Sequence, residues 1–143
     1  MAIIKEKTVK ISSVIENLSP SGLCEGEAEK SESVSEGFLK ISEDGYEITS
    51  SEMTEGGKLV TDIRAECSSV RVKRVGAIES DMLFEEGLSH KSLYSIPPYS
   101  FDAEITTKKI RNTMTKDGGR IDIFYDMKIG GAEKRVKMRI ECI

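Results

Sequence analysis

The chain has 143 residues, with 21 basic and 25 acidic side chains, a formal net charge of −4 and an isoelectric point near 5.2. A domain of this length buries roughly two-thirds of its unfolded surface, so we expect one domain over residues 1–143 that needs no disulfide or metal ion to fold. The acidic balance is opposite in sign to a nucleic-acid-binding surface, which argues against nucleic acid as a partner.

The cysteines and the N-terminus indicate the compartment. Cys24, Cys67 and Cys142 are odd in number and far apart, which favours reduced thiols over a secreted disulfide framework. Met1–Lys5 has too few apolar residues for a signal-peptide core, and no apolar run approaches the roughly 18 to 20 residues that span a bilayer. We therefore expect a soluble cytoplasmic protein without a membrane partner.

The first third of the chain begins with a strand and continues into an acidic segment. Alternating apolar residues predict a strand over Thr8–Glu16, followed by turn-forming residues at Asn17–Gly22. Glu25–Glu36 is rich in Glu and Ser, and its only apolar side chains are Ala28 and Val34. This composition predicts a solvated loop or a charged edge strand that discourages pairing with other chains, with an interaction tail as the alternative.

From Gly37 onward, short alternating segments are separated by turn residues. Glu43-Asp44-Gly45 and Gly56-Gly57 are typical of hairpin turns. Leu59–Cys67 alternates between apolar and polar residues, as an antiparallel strand with one wet face does. Other apolar positions in phase are Leu39, Ile41, Tyr46, Ile48, Val70, Val72, Ile78, Met82 and Phe84.

The segment Leu88–Ile96 can be read in either phase. The phase that carries more apolar bulk places His90 and Tyr94 inward. Pro97-Pro98 removes two successive backbone donors, so the strand must stop there or lie on an edge.

The last third contains three long alternating segments. The inward face of Phe101–Thr107 changes parity in Ile110–Met114, and one extra residue near Lys108-Lys109 would produce this shift, which predicts a β-bulge. Lys116–Gly119 and Gly130-Gly131 are typical of hairpin turns. The remaining predicted strands are Ile121–Ile129 and Val136–Cys142.

These elements predict an all-β fold. Strands recur about every 10 to 12 residues, and no segment longer than a turn has helical periodicity. Pairing the first strand with the last removes the open edges of such a sheet, so we expect a small antiparallel closed barrel of about eight to ten strands. A barrel of this size is either filled by side chains or holds one small ligand.

The second half of the chain resembles a known family. The residues that carry the resemblance are Arg74-Val-Gly76, Phe84-Glu-Glu-Gly87, Tyr94-Ser-Ile-Pro-Pro98, Gly119-Arg-Ile-Asp-Ile-Phe-Tyr-Asp-Met127 and Met138-Arg-Ile140. Together they look like the YwiB-like family of small bacterial proteins, over Gly37 to the C-terminus. The resemblance implies a calycin-like, or lipocalin-like, β-barrel. It brings no established activity and no catalytic residues, and a fold alone does not establish a function.

Little in the sequence points to a reactive site. Three scattered cysteines and the single histidine do not supply the closely spaced ligands of a structural zinc site, so we predict no metal and no cofactor. Cys67 and Cys142 fall in apolar phases, which favours buried, inert thiols. His90 lies near Ser89 and Ser92 in sequence, but this spacing does not supply triad geometry and favours a solvated or core-edge histidine.

Pairs of carboxylates on the polar faces give no stronger signal. Asp102 with Glu104, and Asp122 with Asp126, are expected to face solvent as ordinary charged residues. We therefore expect no catalytic residue and a protein that is not an enzyme.

Arg74 is the residue with the most unusual predicted position. A guanidinium in an apolar barrel phase is costly unless it is paired, so we expect an internal ion pair, a position at the barrel mouth or an anionic ligand. In the last case Arg74 and Tyr125, with Tyr94, bind the carboxylate of a small amphipathic or acidic ligand. The apolar part of this ligand would rest on Phe101, Ile123 and Met127.

Two classes of function remain open. The first is a non-catalytic barrel that binds a small ligand. The second is a structural or protein-interaction module whose barrel is filled by side chains. A cavity that reaches solvent near Arg74 would favour the first class.

Overall fold

Ten antiparallel strands form one closed barrel in the computed structural model, which describes residues 3–19, 21 and 23–143. The strands are β1 (Ile3–Leu18), β2 (Cys24–Ser42), β3 (Gly45–Thr54), β4 (Gly57–Ala65), β5 (Ser69–Gly76), β6 (Glu79–Glu85), β7 (Ser89–Ile96), β8 (Tyr99–Asn112), β9 (Gly119–Ile129) and β10 (Ala132–Cys142). Each strand pairs with the next, and β1 closes the barrel against β10. The predicted all-β closed antiparallel barrel is confirmed, and the described residues include no helix.

The pairing of β8 with β9 contains the predicted bulge. The register shifts between Thr107 and Lys109, where the apolar phase changes parity in the sequence. One extra residue in β8 turns the following side chains to the other face, so Thr107 and Ile110 both lie opposite inward residues of β9, namely Tyr125 and Ile123.

The first two strands are longer than the sequence pattern predicts. β1 begins at Ile3 rather than Thr8, because the residues before Thr8 pair with β2 although they are mostly exposed. Glu25–Glu36 lies within β2, so the predicted loop is wrong and the predicted edge strand is confirmed. Of the predicted turn at Asn17–Gly22, residues Pro20 and Gly22 lie outside the described residues.

The barrel wall is split between β2 and β3. These strands pair only from Gly37, opposite Ser50, to Ser42, opposite Gly45. A side chain at residue 37 would overlap the Thr49 carbonyl oxygen, so glycine allows the two strands to approach closely at the point where their pairing ends. Before Gly37, β2 pairs with β1 and with no other strand in the part of the chain that the structure describes.

The two ends of the barrel differ in their contents. We call the end with the β2–β3, β4–β5, β6–β7 and β8–β9 turns the filled end, and the opposite end the open end. The filled end contains most of the fully buried side chains: Val9, Leu39, Ile48, Ile63, Val70, Phe84, Ile105, Ile121 and Ile140. Met114, in the β8–β9 connection, is buried with this core, and Lys5 of β1 contacts Asp117 of the same connection at 2.9 Å.

The cysteines do not share one environment. Cys142 is buried as predicted, and this burial raises the pKa of its thiol. Cys67 is exposed, so its predicted burial is wrong: β4 ends at Ala65 and the alternation does not continue into the turn. The side chain of Cys24 lies outside the described residues.

Candidate functional site

The open end contains a cavity of about 470 Å³ in the barrel lumen. Its wall includes the exposed Ser31 and Glu32 of β2, so the cavity opens to solvent. Its volume lies within the range of pockets that hold small molecules. The residues that line it are Ile11, Ser13, Ile15, Ser31, Glu32, Ser33, Glu52, Thr54, Leu59, Thr61, Arg74, Ile78, Met82, Tyr94, Tyr125, Met127, Ile129, Lys134, Val136 and Met138.

Arg74 lies half-buried in the wall of this cavity. It is on β5, directly opposite Thr61 of β4 on one side and Ser80 of β6 on the other. Its guanidinium forms no ion pair and no side-chain hydrogen bond with the described residues. The guanidinium is therefore available to an anion that enters the cavity.

Tyr125 lies between the packed core and the cavity. Its ring packs at 53° against Phe84 of the filled end, with 4.7 Å between the ring centroids, and its side chain also lines the cavity. Burial raises the pKa of Tyr125 to about 12, although the nearby charge of Arg74 acts in the opposite direction and Tyr94 adds slightly to the increase. The phenol therefore remains a neutral hydrogen-bond donor at physiological pH.

A row of polar residues crosses the inner face of five neighbouring strands. The row consists of Ser50, Thr61, Arg74, Ser80 and Tyr94, each of which lies opposite the next across the sheet. The first two hydroxyl residues and Ser80 are buried. The Ser80 hydroxyl lies between Arg74 and Tyr94 and makes no hydrogen bond with the described residues. An unsatisfied buried hydroxyl beside a guanidinium is a polar environment suited to an anion.

The rest of the cavity wall is largely apolar. Ile11 and Ile15 of β1, Met82 of β6, and Met127 and Met138 of the last two strands face the same space. Methionine side chains adapt to irregular shapes, so this surface can accommodate different apolar groups. The cavity therefore combines a polar row with an apolar wall.

The charges at the rim have both signs. Glu32 and Glu52 come from the two strands at the split, and Lys134 lies on β10. Glu32 is 3.6 Å from Lys10, so part of its charge is balanced. Of the charged residues that line the cavity, Arg74 belongs to the polar row, whereas Glu32, Glu52 and Lys134 do not.

Four of the six residues predicted from the sequence to bind a ligand line the cavity: Arg74, Tyr94, Tyr125 and Met127. Ile123 does not, because it is fully buried in the core, opposite Ile110 and Met138. Phe101 does not either. It lies opposite Tyr94, but at 41% exposure, near the open end where Gly130 turns the chain.

Sequence reasoning did not assign three residues of the polar row, Ser50, Thr61 and Ser80, to the site. Thr61 and Ser50 did not stand out in the sequence, because each lies in phase with apolar residues and hydroxyl side chains are common in strands. Their alignment with Arg74 depends on the register of β3, β4 and β5, which the local pattern does not contain.

The single histidine does not form a catalytic triad with its sequence neighbours. His90 points inward as predicted, and its Nε2 lies 3.0 Å from Glu85 Oε1. Ser89 shares a hydrogen bond with Thr106, and the Ser92 hydroxyl donates to the Asp81 carbonyl oxygen at 2.8 Å. No group of three His, Cys, Asp or Glu side chains that could hold a metal ion occurs in the described residues.

Asp122 was expected to face solvent, but it is buried. Its carboxylate accepts a hydrogen bond from Arg139 at 2.8 Å and lies 3.3 Å from Arg120. Two guanidiniums cover it on the outer face of β9 and β10, so its burial results from pairing and not from a place in the cavity.

Comparison with known proteins places the chain in a family. Residues 21–140 match the family model described as a domain of unknown function, DUF1934. The uncharacterized beta-barrel protein YwiB of Bacillus subtilis (strain 168) is 26% identical over 129 residues, which cover 90% of this chain and 86% of that protein.

A solved structure supports the same relationship. The crystal structure of the ywiB protein from Bacillus subtilis superimposes with a TM-score of 0.80 at 25% sequence identity, covering 98% of this chain and 93% of that chain. Among the described residues there is no helix long and apolar enough to cross a membrane. These comparisons confirm the resemblance found in the sequence. The chain belongs to the DUF1934 family, and its relative YwiB is an uncharacterised β-barrel protein.

Proposed function

We propose that the barrel binds a small amphipathic acid in its open end and does not catalyse a reaction on it. The observation that carries this proposal is Arg74, a half-buried guanidinium without an ion pair to the described residues, in a cavity of about 470 Å³. Burying a cation is costly unless a counter-charge or hydrogen bonds compensate for the lost water. An acidic ligand would supply that counter-charge.

The head group of the ligand would lie against the polar row. Arg74 can donate two parallel hydrogen bonds to a carboxylate, and such charge-assisted pairs are among the stronger hydrogen bonds in proteins. Tyr125 and Tyr94 also line the cavity, and the raised pKa of Tyr125 keeps its phenol able to donate. These hydrogen-bond donors favour an anionic head group over a cationic one.

The apolar part of the ligand would contact the opposite wall. Ile11, Ile15 and Met127 offer a surface without charged groups, and each buried methylene of a ligand contributes about 0.8 kcal/mol. An amphipathic acid matches both surfaces, whereas a fully polar anion would match only the polar row.

The cavity favours this function over a module whose barrel is filled by side chains. A non-catalytic role is supported by the position of His90, which is not part of the cavity lining. Within the polar row, Ser80 makes no hydrogen bond that could activate it as a nucleophile. We propose the cytoplasm as the location, since the sequence favours reduced thiols.

A binding experiment with matched arginine variants tests the proposal. Fatty acids and bile acids would be titrated by calorimetry into the wild-type protein, Arg74→Met and Arg71→Met. Arg71 is the control because it lies on the same strand but faces outward, where it pairs with Asp81 at 2.6 Å. We expect Arg74→Met to bind at least about tenfold more weakly, whereas Arg71→Met should bind like wild type.

Stability measurements on the same variants separate the alternatives for Arg74. If Arg74 has no protein counter-ion, Arg74→Met should leave the free energy of unfolding unchanged or increase it, because a half-buried charge is replaced by apolar volume. A loss on the order of 3 to 5 kcal/mol would indicate a carboxylate that depends on Arg74. That loss, together with the absence of binding by the wild-type protein, would refute the proposal. Tyr125→Phe should weaken binding to a smaller extent.

A further inference from the structure

The split in the barrel wall leaves one edge of β2 without a neighbouring strand. Over Glu29–Glu36, β2 pairs with β1 on one side and, among the described residues, with no strand on the other. An unpaired edge carries backbone donors and acceptors that can bind an additional strand.

The direction of these backbone groups follows from the ladder. Thr8 and Ile143 exchange two backbone hydrogen bonds, of 3.0 and 2.9 Å, so the backbone of Thr8 points toward β10. Alternate residues of an antiparallel strand point to opposite neighbours, so Val9 points toward β2 and its partner Ser35 points back toward β1. By the same alternation, the residues whose backbone groups point into the split are Lys30, Glu32 and Val34.

The split leads into the cavity. Ser31 and Ser33 of β2 line the cavity on one side of the split, and Glu52 and Thr54 of β3 line it on the other. A strand added to the β2 edge would therefore point alternate side chains toward the cavity and toward solvent.

A second weak seam in the wall is bridged by side chains. β6 and β7 pair only through Glu79 with Ser95 and Ser80 with Tyr94, yet Ser92 donates to the Asp81 carbonyl oxygen across this seam. No side-chain hydrogen bond or ion pair joins residues 26–36 to residues 51–54 in the described part of the chain. The β2 edge is therefore the more accessible of the two.

The charge of the edge identifies its partner. Glu27, Glu29, Glu32 and Glu36 are acidic, and Lys30 is the only basic residue between Glu27 and Glu36. Two copies of this edge placed side by side would bring glutamates together and repel each other. A basic strand would be attracted by the same charges.

We propose that residues 30–36 of β2 accept an extended, lysine- or arginine-rich segment of a partner protein as an added β-strand. The backbone groups of Lys30, Glu32 and Val34 bind the main chain of this segment. Glu32 and Glu36 attract its basic side chains. The added strand binds the backbone of β2 and does not use Arg74, which lies on β5, but its inward side chains would face the same cavity.

A synthetic peptide tests the proposal. A fluorescein-labelled peptide of alternating lysine and threonine is titrated with the full chain at low salt and followed by fluorescence anisotropy, with a peptide of alternating glutamate and threonine as the control. We expect the basic peptide to bind and the acidic peptide not to bind. Backbone amides of Lys30, Glu32 and Val34 should become protected from hydrogen exchange when the basic peptide is present.

Two kinds of variant distinguish strand addition from simple charge attraction. Val34→Pro removes a backbone donor that points into the split, keeps the β1 ladder and should weaken binding about tenfold. Glu32→Lys should also weaken binding, whereas Glu43→Lys changes the net charge equally at the exposed β2–β3 turn and should bind like wild type. Thermal unfolding of each variant checks that the barrel remains folded.

Three results would overturn the proposal. They are equal affinity of wild type and Val34→Pro for the basic peptide, no binding of that peptide by the wild-type chain, and a wild-type dimer that Val34→Pro converts to a monomer. The first would leave only charge attraction, and the third would assign the edge to a second copy of this chain.

Discussion

The two ends of the barrel are built from the same ten strands but differ in what their inner faces carry. At the filled end, inward positions hold branched aliphatic side chains and Phe84, and several have no solvent exposure. At the open end, the same alternation brings Thr61, Arg74 and Tyr94 inward. One end therefore provides most of the packing that stabilises the barrel, and the other provides a cavity.

The difference shows how a small barrel can carry a site without losing its fold. Burying apolar side chains contributes stability in proportion to the area removed from water, and the filled end concentrates this area. The open end then tolerates polar groups that would be costly in a fully packed core. Gly37 marks the boundary in the wall, because the pairing of β2 with β3 ends there.

The largest expected effect comes from truncating the filled end. Phe84→Ala removes a fully buried ring and should lower the free energy of unfolding by about 3 to 5 kcal/mol, as measured by urea denaturation. Met127→Ala at the open end should cost about 1 kcal/mol or less, because Met127 is half-buried and already borders a cavity. Similar losses for both variants would mean that the two ends do not differ energetically.

A smaller effect is expected from raising the pH. The pKa of Tyr125 is about 12 in the folded protein, against 10.0 for an unperturbed tyrosine. The unfolded state therefore loses its proton first, and stability present below pH 10 should decline as the pH rises toward 12, by on the order of 2 to 3 kcal/mol.

Variants identify the group responsible for this pH dependence. Urea denaturation of Tyr125→Phe between pH 9 and about 11.5 should show a shallower decline than that of wild type. Tyr99→Phe is the control, since the Tyr99 side chain is 66% exposed, and its decline should match that of wild type. Parallel profiles for all three proteins would show that Tyr125 is not buried as described.

The smallest effect concerns the boundary itself. Gly37→Ala places a methyl group against the Thr49 carbonyl oxygen, so the strands must separate, and we expect a loss of about 1 to 3 kcal/mol in thermal or urea unfolding. Gly56→Ala is the matched control, because its nearest neighbour is the methyl group of Ala77 at 3.3 Å, and it should cost less. Equal losses would remove the special role of Gly37.

The local alternation of apolar and polar residues was sufficient to predict most of the strands. The alternation of Ile121–Ile129, the turn at Gly130-Gly131 and the bulge near Lys108 could be read from neighbouring residues, because a period of two and a change of parity are local properties. The prediction was less definite where no alternation guided it: β1 begins at Ile3 rather than Thr8, and for Glu25–Glu36 the sequence left a loop and an edge strand open, of which the structure shows the strand.

The candidate site could be predicted only in part, because a site depends on register. The inward orientation of Arg74, Tyr94 and Tyr125 followed from the sequence, since each is in phase with apolar neighbours. Phase does not give height along the barrel, however, so Phe101 and Ile123 were assigned to a cavity that they do not line.

The sequence by itself determined the β architecture and the inward face of each well-patterned strand, because side-chain alternation is a property of the extended chain. It also predicted the closure of the barrel, because pairing the first strand with the last removes the open edges. Only the tertiary structure decided which inward residues share a level, that Asp122 is buried between two arginines, and that β2 leaves β3 at Gly37. These features result from pairing between distant segments, and a local pattern contains no information about the register of that pairing.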